Sequence, residues 1–165
     1  MSPARRPRWR AIRALVTDVD GVLTDGGLYY AENGDELKRF DVRDGQGLVL
    51  LREAGLLVAL VTRKQSTIVT RRARDLGLTE VHQSITDKAT AVRDLLARHA
   101  VAPRDAAYVG DDLGDLPAMA LVGLPIAVKD AVIEVRRAAT YVTKAAAGHG
   151  AIREICDLLL AARKQ

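Results

Sequence analysis

Five short apolar runs constrain this chain more than any other feature: ALVTDV (14–19), LLVALV (56–61), EVHQ (80–83), AAYVG (106–110) and LPIAV (124–128). Each has the length of a strand, and most leave no polar face for solvent, the pattern of strands covered on both sides in a parallel sheet. Between them, apolar residues recur at helical spacing over 46–54, 65–76, 87–99, 115–121 and 131–138, with a last helix over 149–163. Strand and helix in alternation predict an α/β domain, a parallel sheet flanked by helices. Gly55 and Gly77 stand where helices should end, and Asp87 where one should begin.

One segment breaks the alternation. GLYYAENGDELKRFDV holds two strand-like runs around Asn33-Gly34, a strong hairpin signal, so a β-hairpin over 28–42 should project directly after the first strand. The remaining length suits one domain over residues 12–165, preceded by a mobile basic tail over residues 1–11. That tail, with four arginines among its first ten residues, lacks the apolar core of a secretory signal, and no run approaches the roughly 20 apolar residues of a membrane span. A cytoplasmic location without membrane association is expected. The single Cys156 excludes an internal disulfide and sits in a helical apolar pattern, which makes it a core thiol. Net charge is +4, but the basic residues are scattered and six aromatic residues offer few stacking platforms. Nucleic acid is therefore not the expected partner.

Why would a buried strand end on Asp18 and Asp20? Ligands of open parallel sheets bind beyond the carboxyl ends of the strands, and both acids fall there. Aspartates also cap turns, so the pair alone decides little. Other strand ends add to it: Thr62 closes the second, Lys88 follows the third, and GDDLGD (110–115) closes the fourth. An ionised aspartate can attack phosphorus only if the charge of the phosphate is neutralised. Mg²⁺ suits Asp18 and Asp111, since it takes a few oxygen ligands together with water and phosphate, and the backbone carbonyl of Asp20 offers a further ligand. Lys88 adds a second cation and Thr62 a hydroxyl for a phosphate oxygen. Asp20 is then placed to protonate the leaving alkoxide and later to take a proton from water.

These residues resemble the four motifs of the haloacid dehalogenase superfamily of phosphohydrolases. Within it, FDVRDGQGL (40–48), GDDLGDLPAM (110–119) and GHGAIREICDLLL (148–160) resemble the 3-deoxy-D-manno-octulosonate 8-phosphate phosphatases, over about residues 12–163. The resemblance implies a Rossmann-like sheet with a projecting hairpin and no cap domain, Mg²⁺ as cofactor and a small acidic sugar phosphate as substrate. It implies that Asp18 is the nucleophile, Asp20 the acid/base, Thr62 and Lys88 phosphate binders and Asp111 a metal carboxylate, with Asp112 and Asp115 in support. Arg63 stands where such enzymes often carry glycine, Ser84 replaces the glycine often found before the motif lysine, and His149 occupies a variable tail position. Arg43 and Asp44 suit either a substrate carboxylate or a structural ion pair.

Only a hairpin and a helix separate Asp20 from Thr62, and only a helix and a strand separate Lys88 from Asp111, so no cap is encoded. The resemblance implies a homotetramer built on the hairpins, each site completed by a neighbour's tail from Lys144 onward, with Gly148 to Arg153 contributing. Three other readings remain: a phosphatase of a nine-carbon sialic-acid-like 9-phosphate, a phosphate-accepting receiver domain, and a non-catalytic oligomerising module. Receiver domains place their acidic pair and phosphoacceptor on different strands, whereas Asp18 and Asp20 share the first.

Overall fold

The structure, a computed structural model, describes residues 7–164. Eight strands and six helices follow in chain order: β1 (Ala14–Thr17), β2 (Tyr29–Tyr30), β3 (Glu36–Leu37), α1 (Val42–Glu53), β4 (Leu57–Val61), α2 (Thr67–Asp75), β5 (Glu80–His82), α3 (Lys88–Arg98), β6 (Ala106–Gly110), α4 (Leu116–Leu121), β7 (Leu124–Ala127), α5 (Ile133–Ala138), β8 (Tyr141–Val142) and α6 (Ala151–Arg163). Six of the strands form one fully parallel sheet in the order β5-β4-β1-β6-β7-β8. Counted without the hairpin this is 3-2-1-4-5-6, the doubly wound order whose ligand crevice opens where the winding reverses. Here that point is the end of β1, between β4 and β6.

The expected strands are all present, β6 over its full expected run and the others trimmed by one or two residues, and β1 and β6 are buried along their whole length. Gly55 and Gly77 take positive φ at the ends of α1 and α2, and the Asp87 carboxylate accepts the Thr90 N–H at the start of α3. One strand escaped notice: β8, two residues long and only partly buried, pairs with β7.

Helix α1 begins four residues earlier than its apolar spacing suggested. Asp41 caps it by accepting the N–H groups of Arg43 and Asp44, while Gly45 and Gly47 weaken the helical signal of the first turn. Their smallness serves packing: a Cβ on Gly47 would lie 3.0 Å from Cβ of Cys156 on α6. Helices α1 and α6 thereby approach closely, and Ile152, Ile155, Cys156 and Leu159 of α6 are fully buried.

The stretch from Lys144 to the start of α6 is tied to its own domain. Glu154 accepts the N–H groups of Lys144 and Ala145 and the Tyr141 hydroxyl, and Gly148 lies against Thr24 and Asp25 of the same chain, where a Cβ would fall 2.5 Å from the Asp25 nitrogen. The segment is a wall of the domain. At the other end, residues 1–6 of the expected basic tail lie outside the described residues. Trp9–Ala11 form a 3₁₀ turn, and Trp9 meets Tyr141 edge to face at 5.1 Å.

The hairpin is shorter than its sequence suggested. β2 and β3 share two residue pairs, Tyr29 with Leu37 and Tyr30 with Glu36. Gly34 has φ +89°, whereas Asn33 does not enter the left-handed region, so the two-residue turn that needs both is ruled out and a three-residue connection takes its place. Leu28, Tyr29, Tyr30 and Leu37 are all exposed. No cap domain is present among the described residues.

Candidate active site

The chain leaves β1 in a tight turn in which the Val19 carbonyl accepts N–H groups from Val22, Leu23 and Thr24. Val19 is fully buried, so Asp18 and Asp20 fall on the same side of the turn, and both line a cleft of about 310 Å³ at the carboxyl edge of the sheet. Gly21 takes φ +80°, and a Cβ there would lie 2.1 Å from Oδ2 of Asp111. Glycine is required at this position both for the turn and for the approach of the fourth strand end.

Thr62, Arg63, Lys88, Asp111, Asp112 and Asp115 line the same cleft, so eight of the ten residues singled out in the sequence converge. Lys88, 7% exposed, donates to Oδ2 of Asp18 at 2.9 Å and Oδ1 of Asp115 at 2.7 Å. Burial alone would lower its pKa, but the two carboxylates outweigh it and raise it, so the ammonium stays charged. Asp115 is fully engaged: Oδ1 also accepts the Tyr108 hydroxyl at 2.7 Å, and Oδ2 accepts the N–H groups of Asp111 and Asp112 at 2.9 and 3.3 Å. It braces the loop and orients Lys88. Asp112 is exposed and caps the turn at Leu113.

Asp18, Asp111 and Asp115 bring carboxylate oxygens within 4.8 Å of one another. Burial, followed by the neighbouring Asp115 charge, pushes the pKa of Asp18 up to about 6, and burial, followed by the charges of Asp18, Asp115 and Asp112, pushes that of Asp111 up to about 8. A floor that crowds acids until they hold protons near neutrality fits a divalent cation, whose charge would relieve the repulsion. With Asp115 saturated by donors, Asp18 and Asp111 are the side chains available to hold it.

Arg43 and Asp44 are not brought into this cleft. The Asp44 carboxylate, 1% exposed, accepts N–H groups of Gly150 and Arg153 at 3.4 and 2.8 Å and so caps α6 from α1; burial raises its pKa. Arg43 pairs with Asp41 at 3.1 Å and lines a separate shallow groove with His149 and Arg153.

Two residues at the site were missed. Tyr108 is the one polar-tipped residue in an apolar buried strand, a signal that its hydroxyl must have a partner. Lys38, just after β3, donates to Oδ1 of Asp20 at 2.6 Å and to Glu36 at 3.3 Å. Burial works against its charge, but the two carboxylates prevail and its pKa is raised. No local pattern links it to a residue 18 positions earlier.

A doubly wound parallel sheet with paired aspartates at its switch point, a buried lysine and a crowded acidic floor is the arrangement of a phosphate-handling hydrolase built on a Rossmann-like domain. A family model described as haloacid dehalogenase-like hydrolase matches residues 55–155. The chain belongs to the haloacid dehalogenase-like hydrolases. It is 48% identical over 152 residues to the 3-deoxy-D-manno-octulosonate 8-phosphate phosphatase KdsC of Escherichia coli K12, covering 92% of this chain and 81% of the relative. The crystal structure of the corresponding Yersinia pestis phosphatase superposes with a TM-score of 0.93 at 44% identity, covering 95% of this chain and 85% of that one. That of the Moraxella catarrhalis phosphatase, in complex with magnesium, phosphate and KDO, superposes with a TM-score of 0.92 at 38% identity, covering 94% and 90%.

Proposed function

We propose that this chain is a Mg²⁺-dependent phosphomonoesterase that hydrolyses 3-deoxy-D-manno-octulosonate 8-phosphate to the free sugar acid and inorganic phosphate. The observation that carries the reading is the cleft at the end of β1, where Asp18, Asp20, Thr62, Lys88 and Asp111 converge in a chain nearly half identical to phosphatases of that substrate. Bound between Asp18 and Asp111, Mg²⁺ would neutralise phosphate charge and let a carboxylate approach phosphorus.

Asp18 is the nucleophile: its carboxylate oxygen forms a bond to phosphorus as the ester P–O bond breaks, and the leaving alkoxide takes a proton from Asp20. Lys88 holds Asp18 in place at 2.9 Å and offsets the gathering negative charge. Thr62 and Arg63 offer donors to phosphate oxygens from the end of β4. Asp20, now ionised, takes a proton from a water molecule whose oxygen attacks phosphorus, and the bond to Asp18 breaks to release phosphate. Asp112 and Asp115 shape the loop that carries Asp111.

We propose further that the chain acts in the cytoplasm as a homotetramer with each site completed by a neighbour. The exposed apolar side chains of the hairpin support this, since a two-pair ribbon is marginal without a partner surface. Arg43, His149 and Arg153 line a groove separate from the cleft of their own chain, and across an interface the two arginines at the start of α1 and α6 would be available to a neighbour's substrate carboxylate. Replacing Tyr30 and Leu37 by serine should dissociate the assembly in sedimentation; an unchanged mass overturns the hairpin interface.

Hydrolysis of the eight-carbon 8-phosphate and of a nine-carbon sialic-acid-like 9-phosphate, compared at equal concentration with Mg²⁺ and with chelator, tests the reaction. Faster Mg²⁺-dependent release from the eight-carbon acid is expected. A preference for the nine-carbon acid reassigns the substrate, and release undiminished by chelation overturns the metal-dependent site.

A further inference from the structure

The side chain of Lys38 is only 3% exposed, although the neighbouring Tyr29, Tyr30 and Leu37 of the hairpin face solvent. Its ammonium reaches Oδ1 of Asp20 at 2.6 Å, while Asp20 itself lines the cleft. Among the described residues no other side chain bonds Asp20. One carboxylate oxygen is therefore held, and the other is left for the cleft. Glu36 stands 3.3 Å from the same ammonium, so when Asp20 carries a proton the buried cation still has an anionic partner and is not stranded.

Resting on the reading of Asp20 as acid/base, we propose that Lys38 is the positioning residue of the proton-transfer step, fixing the Asp20 carboxyl in the orientation from which its free oxygen reaches the leaving group and then the attacking water. Asp20 is 28% exposed and sits on a turn. Without a tether it would sample rotamers that aim the carboxyl at solvent, and a misplacement of about 1 Å in a reacting group costs on the order of 100-fold in rate. The geometry also ties chemistry to the hairpin: the ribbon that carries Lys38 must be in place for Asp20 to be aimed.

A double-mutant cycle in the intact Mg²⁺-loaded enzyme tests this, with Lys38→Met and Asp20→Asn alone and together, assayed on the octulosonate 8-phosphate. Lys38→Met should lower kcat by about 10–100-fold with KM changed less than about twofold, and in the Asp20→Asn background the same change should cost less than about twofold. Equal losses in both backgrounds, a rise in KM at constant kcat, or wild-type turnover in Lys38→Met would each overturn the proposal. Should Lys38→Met fail to fold by circular dichroism, Lys38→Gln, which keeps a polar head, is carried through the same cycle with the same criteria. If Asp20→Asn alone leaves turnover intact, the acid/base reading itself falls and Lys38 falls with it, an outcome distinct from additivity of the two changes.

Discussion

Binding of Mg²⁺ to this protein should release about one proton per ion near pH 7. Burial and mutual repulsion raise Asp111 to about 8 and Asp18 to about 6, so at pH 7 the first is about 90% protonated and the second about 10%. A divalent cation held by both requires both ionised, and the displaced proton leaves with its buffer. Calorimetric titration in two buffers of different ionisation heat would count it. The apparent affinity should tighten about tenfold per pH unit between pH 6 and 8 and level off above 8. Metal-free protein gives the complementary signature. Because both carboxyls bind protons more strongly folded than unfolded, their contribution to stability is fully present below the unfolded value of 3.8 and is lost as pH rises through about 6 and about 8. The melting temperature in chelator should therefore fall across that window, and added Mg²⁺ should flatten the trend. Affinity that stays constant from pH 6 to 8 with no proton released would show the acids already ionised without metal, and the crowding argument would be wrong.

Asp18→Asn should lower turnover by about 10⁴-fold or more while far-UV circular dichroism is unchanged; near-normal turnover refutes the nucleophile. Gly21→Ala would set a Cβ 2.1 Å from Oδ2 of Asp111 at a φ of +80°, so Mg²⁺ affinity measured by calorimetry should weaken at least about tenfold, by displacement of a ligand. Truncation after Thr143 removes α6 with its buried Ile152, Ile155 and Leu159, each worth about 1.5–3 kcal/mol against a total stability of about 5–15; loss of the cooperative melt is expected, and a folded truncated chain contradicts the packing described. Gly47→Val presses on Cys156, where a Cβ would already lie at 3.0 Å, at a cost of about 1–3 kcal/mol, read as a melting temperature lower by several degrees.

The sheet could be read from the chain because β1, β4 and β6 are sealed by neighbours and helices, so their residues carry apolar character almost without interruption. The same logic exposed the site: in a run so apolar, Asp18, Thr62 and Asp111 stand out at the ends. What escaped depends on partners far away in the chain. The glycines of α1 look like helix breakers until Cys156 is seen against Gly47. Asp44, adjacent to an arginine, suggests a ligand site, yet its partners are the backbone of Gly150 and Arg153. Lys38 reads as an ordinary hairpin lysine, because nothing local says that Asp20 lies beneath it. Gly148 is hidden for the same reason: it is small because the turn after β1 leaves no room for more.

The capping of α6 by Asp44 has a consequence for how the enzyme comes into being. Every acid facing the cleft lies at or before Asp115, so on a ribosome all the reactive groups are made before α6 is. Yet the turn bearing Asp20 and Gly21 is closed by Gly148, and α1 is capped and covered on one side by α6, contacts that span more than 100 positions. Such long closures are slow and late. A nascent chain holding the full set of reactive groups should thus be a folding intermediate without phosphatase activity, its apolar α1 face open to chaperones, until the residues around Arg153 arrive and the first helix and the last close the domain together.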